Sequence, residues 1–253
     1  MEKLILERLS SIEKENAITI LFACESGSRG WGFPSPDSDY DVRFIYIRPA
    51  RYYLSVQERR SDLYFPISDA LDLYGWDLRK VLQLMRKSNT TPFEWLQSPV
   101  VYTERPGFRK MAWELCENYF VQRANIHHYL GIAKGALDSL DENNMIKIKK
   151  LFYVLRPLLA SKWCTERNSI APMEILPLMD LLPGSLYSEI LELIRLKATL
   201  DEGYRIAVST GMLDFIRLEY ERISAASIPL PRQSFSAGKL DDFFMEAIRF
   251  YDN

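Results

Sequence analysis

Residues Cys24–Asp41 read CESGSRGWGFPSPDSDYD: a Gly-Ser step, ten intervening residues (Arg29–Ser38), then two aspartates one residue apart. The run before it, Ile18–Cys24 (ITILFAC), is apolar and β-branched, and the run Tyr40–Ile47 (YDVRFIYI) has strand composition. The motif is therefore predicted to lie between two strands. Successive side chains on a strand point to opposite faces, so Asp39 and Asp41 are expected to share one.

Two carboxylates about 5 Å apart repel by roughly 3 kcal/mol at an effective dielectric near ~20. A divalent cation reverses that sign, and Mg²⁺ prefers hard oxygen ligands, carboxylates and phosphates among them. Asp39 and Asp41 are thus candidate metal ligands. Replacing either by Asn is expected to abolish chemistry while leaving the thermal midpoint equal or higher, because the repulsion goes with the charge. Upstream, Gly27 lets the backbone approach a phosphate closely, and Ser28 offers a hydroxyl and an amide at a helix start, where the dipole favours anions. Arg29 and Arg43 either contact phosphate or pair with the acidic residues; Arg43, two residues beyond Asp41, falls on the same strand face. Each feature alone is also what a polar turn after Pro34 and Pro36 would show. Their ordered combination points to phosphoryl chemistry.

This order of strand, Gly-Ser and Asp-x-Asp resembles that of the DNA polymerase β nucleotidyltransferase superfamily. Within it, SGSRGWGFPSPDSDYDVRFIY is similar to the predicted nucleotidyltransferases that include the RNA-repair-ligase-associated group. The resemblance continues through Leu71–Tyr102 (LDLYGWDLRKVLQLMRKSNTTPFEWLQSPVVY) and more loosely through Lys149–Trp163 (KKLFYVLRPLLASKW). It implies an α+β fold, with a small mixed β-sheet nucleotidyltransferase core and flanking helices followed by a C-terminal helical bundle. It also implies a third metal-binding carboxylate on a later strand, carried over to Asp72. The implied cofactor is a pair of Mg²⁺ ions, with Mn²⁺ as the alternative, held by Asp39, Asp41 and Asp72. The implied partner is a nucleoside triphosphate gripped at its β and γ phosphates by Gly27 and Ser28. Of the neighbouring acids, Asp77 reads as the N-cap of a helix carrying Leu78, Val81, Leu82 and Met85, and Asp69 as a loop residue. Lys149, Tyr153 and Arg156 are spaced i, i+4, i+7 and share a helix face. They either bind the triphosphate or base of a nucleotide, or form a solvated face with Tyr153 packed beneath.

Working outward, 253 residues with 47% hydrophobic content suffice for a real core, divided as an α/β unit over residues 1–105 and a helical domain over 106–253. MEKLILERLSSIEKEN reads as an amphipathic helix with Leu4, Ile5, Leu9 and Ile12 on one stripe rather than as a leader. Without an apolar run of about 18 residues no membrane-spanning helix is expected. Cys24, Cys116 and Cys164 fit no zinc spacing and read as reduced thiols of a cytoplasmic protein. His127 and His128 point about 100° apart on a helix and are poorly placed to share a metal. Arg48–Ser61 reads as a loop, Leu63–Phe65 and Leu71–Tyr74 as β segments, and Asp77–Lys87 as helix. Thr91 to Glu94 (TPFE) has the form of a capping box, and Ser98–Tyr102 that of an edge strand. From Pro106 helices are expected over Phe108–Leu140, Asn143–Lys162, Pro172–Leu181 and Ser185–Val208, then a loop over Ser224–Gly238 and a last helix over Lys239–Tyr251.

The expected activity is metal-dependent transfer of a nucleoside monophosphate from the triphosphate to an acceptor hydroxyl, on an RNA end, a protein or a small molecule, with release of pyrophosphate. The alternative is a non-catalytic nucleotide-binding or regulatory protein on the same scaffold. A net charge of −2 gives no global attraction to nucleic acid, so any polynucleotide contact has to be local.

Overall fold

A computed structural model describes residues 1–57, 59–68 and 70–251; Asp69 lies outside them. The first elements are α1 (Glu2–Asn16), β1 (Thr19–Glu25), α2 (Gly27–Trp31), β2 (Tyr40–Ile47), α3 (Ala50–Tyr53), β3 (Asp62–Tyr64), β4 (Leu71–Asp77), α4 (Leu78–Arg86), α5 (Thr90–Gln97), β5 (Val101–Glu104) and α6 (Phe108–Asn118). They are followed by α7 (Gln122–Leu137), β6 (Met145–Lys147), α8 (Ile148–Arg167), α9 (Ile175–Met179), α10 (Gly184–Lys197), β7 (Arg205–Ala207), α11 (Thr210–Ser227) and α12 (Gly238–Tyr251). The chain divides into two compact units: a sheet unit of residues 1–30, 39–119 and 234–253, and a helical unit of residues 31–38 and 120–233.

In the sheet unit the strands form a five-stranded mixed sheet in the order β3-β4-β2-β1-β5 among the described residues. The fold is α+β. β2 pairs antiparallel with β1 and parallel with β4, and β5 is the edge strand next to β1. Alternation along β2 sends Val42, Phe44 and Tyr46 into one core with Ile5, Leu9 and Ile12 of α1 and Leu71 and Leu73 of β4. Asp41 and Arg43, at odd positions, are left for the other face. Leu4 is exposed, so the buried stripe of α1 is narrower than its apolar residues suggest. Gly75 of β4 lies under the Phe44 ring: a Cβ there would overlap the ring, with Phe44 Cδ2 at 2.7 Å.

Asp77 caps α4 as its position predicts, its carboxylate accepting the Arg79 N–H at 2.9 Å. The cap of α5 is a correction. Asn89 accepts the Thr91 N–H at 3.0 Å, so the helix starts before the expected capping box and Pro92 sits within its first turn. An Asn two residues upstream satisfies the orphan amide equally well, and spacing alone does not separate the two.

In the helical unit, α7, α8, α9 and α11 share a core that includes Ile126, Leu155, Leu159 and Ile216. The reading from Pro106 onward needs three corrections. The stretch 108–140 is two helices, broken at residues 119–121. Met145–Lys147 and Arg205–Ala207, expected to be helical, instead pair as an antiparallel ribbon with Ile146 opposite Ile206. α11 continues to Ser227 through residues assigned to a loop. Three-residue strands are too short to display a period of two, and a break between two amphipathic helices of the same period leaves no gap in the pattern.

Candidate active site

The motif that opened the sequence reading is built on the ends of three strands. β1 finishes at Glu25, whose Cα partner on β2 is Val42, and the Ser26 N–H donates to the Asp41 carbonyl at 2.8 Å. The chain then turns at Gly27, with φ +58, into the short α2. Gly27 faces Asp41 so closely that a Cβ would overlap Asp41 Oδ2 and lie 2.8 Å from Cγ. Only glycine combines that φ with that approach. The Gly-Ser turn and Asp41 are thus brought together as the motif implies, while Ser28, on the first turn of α2, is buried rather than open.

Asp72 also arrives at this place. The parallel pairing of β2 and β4 sets Asp41 opposite Asp72. Between them lies Arg43: its Nη2 donates to Asp41 Oδ1 at 2.8 Å and to Asp72 Oδ2 at 2.7 Å, and its Nη1 to the Asp72 carbonyl at 2.8 Å and the Val42 carbonyl at 3.2 Å. The three side chains are 15% (Arg43), 26% (Asp41) and 20% (Asp72) exposed, so the charges are partly shielded from water. Of the two sequence readings of Arg43, this structure has the ion pair.

Asp39, the third expected carboxylate, stands at the entry to the same strand. It precedes the first residue of β2, so strand alternation does not govern it, and its carbonyl accepts from Arg29 Nε at 3.2 Å. The Arg29 guanidinium lies 4.0 Å from the Tyr40 ring centroid, which directs it to the backbone and ring flanking the strand entry. Among the described residues no three His, Cys, Asp or Glu side chains are gathered as a metal-binding group. What the fold assembles is the pair Asp41 and Asp72. Their donors are hard carboxylate oxygens beside a backbone turn with no Cβ, a set that suits Mg²⁺ in kind. The guanidinium of Arg43 stands where the two carboxylates meet.

Glu25 is the residue that sequence reasoning missed. It is 1% exposed, its Oε1 accepts the Asp41 N–H at 2.8 Å, and its Oε2 accepts the Tyr102 hydroxyl of β5. Ser98 Oγ donates to the Glu25 carbonyl at 2.6 Å. Burial pushes its carboxyl up to about 7, against the opposing effect of the bonds from Tyr102 and Asp41. The available signal was a lone acid ending an apolar strand immediately before Gly-Ser. Cys24 beside it is fully buried, and that burial pushes its thiol up, away from the thiolate form a nucleophile needs. Asp77 is likewise pushed up by burial, and its Oδ2 accepts the Tyr53 hydroxyl at 3.0 Å.

Lys149, Tyr153 and Arg156 lie on α8 of the helical unit. Arg156 is 2% exposed, with Nε and Nη2 donating to the Met173 carbonyl at 3.1 and 3.0 Å. Its guanidinium sits 4.9 Å from the Trp31 ring centroid. Tyr153 meets Trp31 edge-on at 5.3 Å, and Lys149 pairs with Glu202. The solvated-face alternative fails for Arg156 as well. His127 is exposed, and His128 lies edge-on to Tyr129.

Residues 1–246 match the model of RlaP, the RNA repair pathway DNA polymerase beta family. The chain belongs to that family. Membership makes it a nucleotidyltransferase-like protein. It is 40% identical over 232 residues to the "Uncharacterized protein YcgL" of Bacillus subtilis (strain 168), covering 90% of this chain and 88% of that protein. It is also similar to a nucleotidyltransferase-like protein from Exiguobacterium sibiricum 255-15 of known crystal structure, at 10% identity and a TM-score of 0.31, covering 98% of this chain and 81% of that one. Among the described residues no helix is long and apolar enough to cross a membrane.

Proposed function

We propose that this family member is a metal-dependent nucleotidyltransferase that moves a nucleoside monophosphate from a nucleoside triphosphate to an acceptor hydroxyl. The observation that carries the reading is the in-register pair Asp41 and Asp72, bonded through one guanidinium and backed by a glycine with no room for a side chain. In this reading Asp39, Asp41 and Asp72 would hold Mg²⁺, or Mn²⁺ in its place, with Asp41 and Asp72 set opposite each other by the sheet register and Asp39 at the strand entry. When bound, the cation neutralises the triphosphate and stabilises the attacking and leaving oxygens. The acceptor oxygen forms its bond to the α-phosphorus, the bond from that phosphorus to the pyrophosphate oxygen breaks, and the hydroxyl proton passes to Asp72 or to water. Gly27 admits the triphosphate to the backbone of the turn. Arg43, released from the carboxylates, becomes a cation for the phosphates. The family's description as an RNA repair group favours an RNA end over a protein or small-molecule acceptor.

One observation favours the non-catalytic alternative: Arg43 already bonds both carboxylates and offsets one of their two charges. A pyrophosphate-release assay over the four ribonucleoside triphosphates, with Mg²⁺ or Mn²⁺ and with or without an RNA oligonucleotide, separates the two. Release that depends on metal and falls by two or more orders of magnitude in Asp41→Asn and Asp72→Asn is the expected result. Nucleotide binding without release would favour the alternative, and full turnover in either variant would overturn both roles.

A further inference from the structure

On β4 the alternation that brings Asp72 to the site puts Tyr74 and Trp76 on the same face, and β3 at the sheet edge sets Tyr64 opposite Tyr74 and Asp62 opposite Trp76. The rings form one strip within the sheet unit. Tyr64 meets Tyr74 edge-on at 6.2 Å, Tyr74 meets Trp76 edge-on at 6.0 Å, and Trp76 stacks on Trp95 of α5 at 4.2 Å. Lys80 of α4 lies over the strip, its Nζ 5.8 Å from the Tyr74 ring centroid and 5.0 Å from that of Trp76. Asp62 fixes both, accepting from the Tyr74 hydroxyl and from Lys80 Nζ at 3.0 Å each. Burial is graded along the rings: Trp95 is buried, Tyr74 and Trp76 are half-buried, and Tyr64 is 65% exposed. Core packing accounts for the Trp76–Trp95 end. It does not account for a large ring left in water on a three-residue edge strand. Arg60, two residues before Asp62, and Arg79, beside Lys80, are both exposed, so positive charge borders the end of the strip away from Asp72.

We propose that Tyr64 and Tyr74 form a stacking site for the terminal unpaired bases of a single-stranded RNA acceptor, with Lys80 supplying a cation to its phosphates. The acceptor role rests on the transferase reading; the stacking of unpaired bases does not. Across the sheet the order is Gly-Ser turn, Asp41, Asp72, then the aromatic strip. The turn that admits the triphosphate and the strip thus lie on opposite sides of the acidic pair, which leaves the strip to the acceptor. Tyr74 follows Asp72 by two residues, about 6.6 Å along the strand, so a base stacked there keeps its strand end within reach of Asp72. Every base has a π-face, and only an unpaired, unstacked base offers it to a ring. A duplex end would present neither a free face nor, with a net charge of −2 on the chain, a partner for its many phosphates.

The test titrates wild type, Tyr64→Ala, Tyr64→Phe and Tyr74→Leu into a fluorescein-labelled single-stranded oligoribonucleotide of about ten nucleotides and follows its anisotropy. Loss of either ring is expected to raise Kd about tenfold, while Tyr64→Phe, which keeps the ring, binds as wild type does. An oligonucleotide abasic at its 3′-terminal positions is expected to bind wild type as weakly as the intact strand binds Tyr64→Ala, and to lose nothing further in that variant. In pyrophosphate release, KM for the RNA is expected to rise with Kd while KM for the triphosphate stays unchanged. An unaltered Kd in Tyr64→Ala, or a duplex of the same sequence bound as tightly as the single strand, would overturn the proposal. A raised triphosphate KM with RNA binding unchanged would also overturn it, giving the ring to the incoming base instead. Should Tyr74→Leu fail to fold for want of its bond to Asp62, the exposed Tyr64 carries the same comparison. If the wild type releases no pyrophosphate, the transferase reading falls and the binding data still judge the strip.

Discussion

Replacing Arg43 with Met removes the guanidinium that bonds both Asp41 and Asp72 and leaves two carboxylates opposite each other on neighbouring strands. Strands in a sheet lie about 4.8 Å apart, and charges at that separation repel by roughly 3 kcal/mol at an effective dielectric near ~20. Removing one partner of a buried pair costs about 3–5 kcal/mol. With the three side chains 15–26% exposed, solvent screens part of this, so about 2–4 kcal/mol is expected. In a chain of this size that corresponds to a fall of about 5–15 °C in the thermal midpoint. The same substitution empties the shared position between the carboxylates, so Mg²⁺ is expected to stabilise Arg43→Met, by about 2.7 kcal/mol at a hundredfold excess over Kd. Wild type has to give up its Arg43 bonds first and gains less. Circular-dichroism melts near neutral pH, with and without Mg²⁺, measure both effects. A variant melting within about 1 °C of wild type, or one no more responsive to Mg²⁺, would refute the argument. The same geometry reverses the expectation from sequence for Asp41: with Arg43 already offsetting the repulsion, Asp41→Asn removes a partner from a cation, so the midpoint is expected to fall rather than rise, and Asp72→Asn is expected to do the same.

Gly27→Ala places a methyl group on Asp41 at φ +58. The left-handed conformation costs about 1–2 kcal/mol and the overlap about 1–3 kcal/mol more. If Asp41 moves by about 1 Å, turnover drops on the order of 10²-fold, and a variant with wild-type kcat would show that the turn does not position Asp41. Glu25→Gln tests the buried carboxyl, which is moved up from 4.5 to about 7 by burial. The native state keeps this proton through a window in which the unfolded chain has lost it, so wild-type stability falls as pH rises from 4.5 to about 7. Gln, able to accept from the Asp41 N–H and donate to the Tyr102 oxygen, is expected to flatten that dependence; parallel urea-midpoint profiles for the two proteins would contradict it.

Most of the sheet unit was legible because its signals are local. Tyr40–Ile47 has strand composition and is β2 to the residue, and Asp77 stands before a clean helical stripe and caps α4. Of the site, Gly27, Asp41 and Asp72 could be read, the last through family resemblance, and the fold brings them together. Asp39 precedes the first residue of β2, so strand alternation alone does not fix its face. Glu25 was invisible because its significance comes from partners 16 and 77 residues away, Asp41 and Tyr102, rather than from its neighbours.

Arg43 and the α8 stripe share one lesson. Sequence spacing correctly placed each cation on a face, but a cation's role depends on which anion or ring reaches it first. Arg43 sits two residues from Asp41, whose register partner is Asp72, so its guanidinium reaches both carboxylates. Arg156 is buried and held by a carbonyl and two aromatic rings, Trp31 and Tyr129. The two segments in which the resemblance was noticed separately, around Asp37–Asp39 and around Lys149–Arg156, are physically joined: Ser38 bonds Glu202, and Glu202 bonds Lys149. A substitution at Lys149 therefore perturbs the residue beside Asp39 through two hydrogen bonds, whether or not that lysine ever meets a substrate.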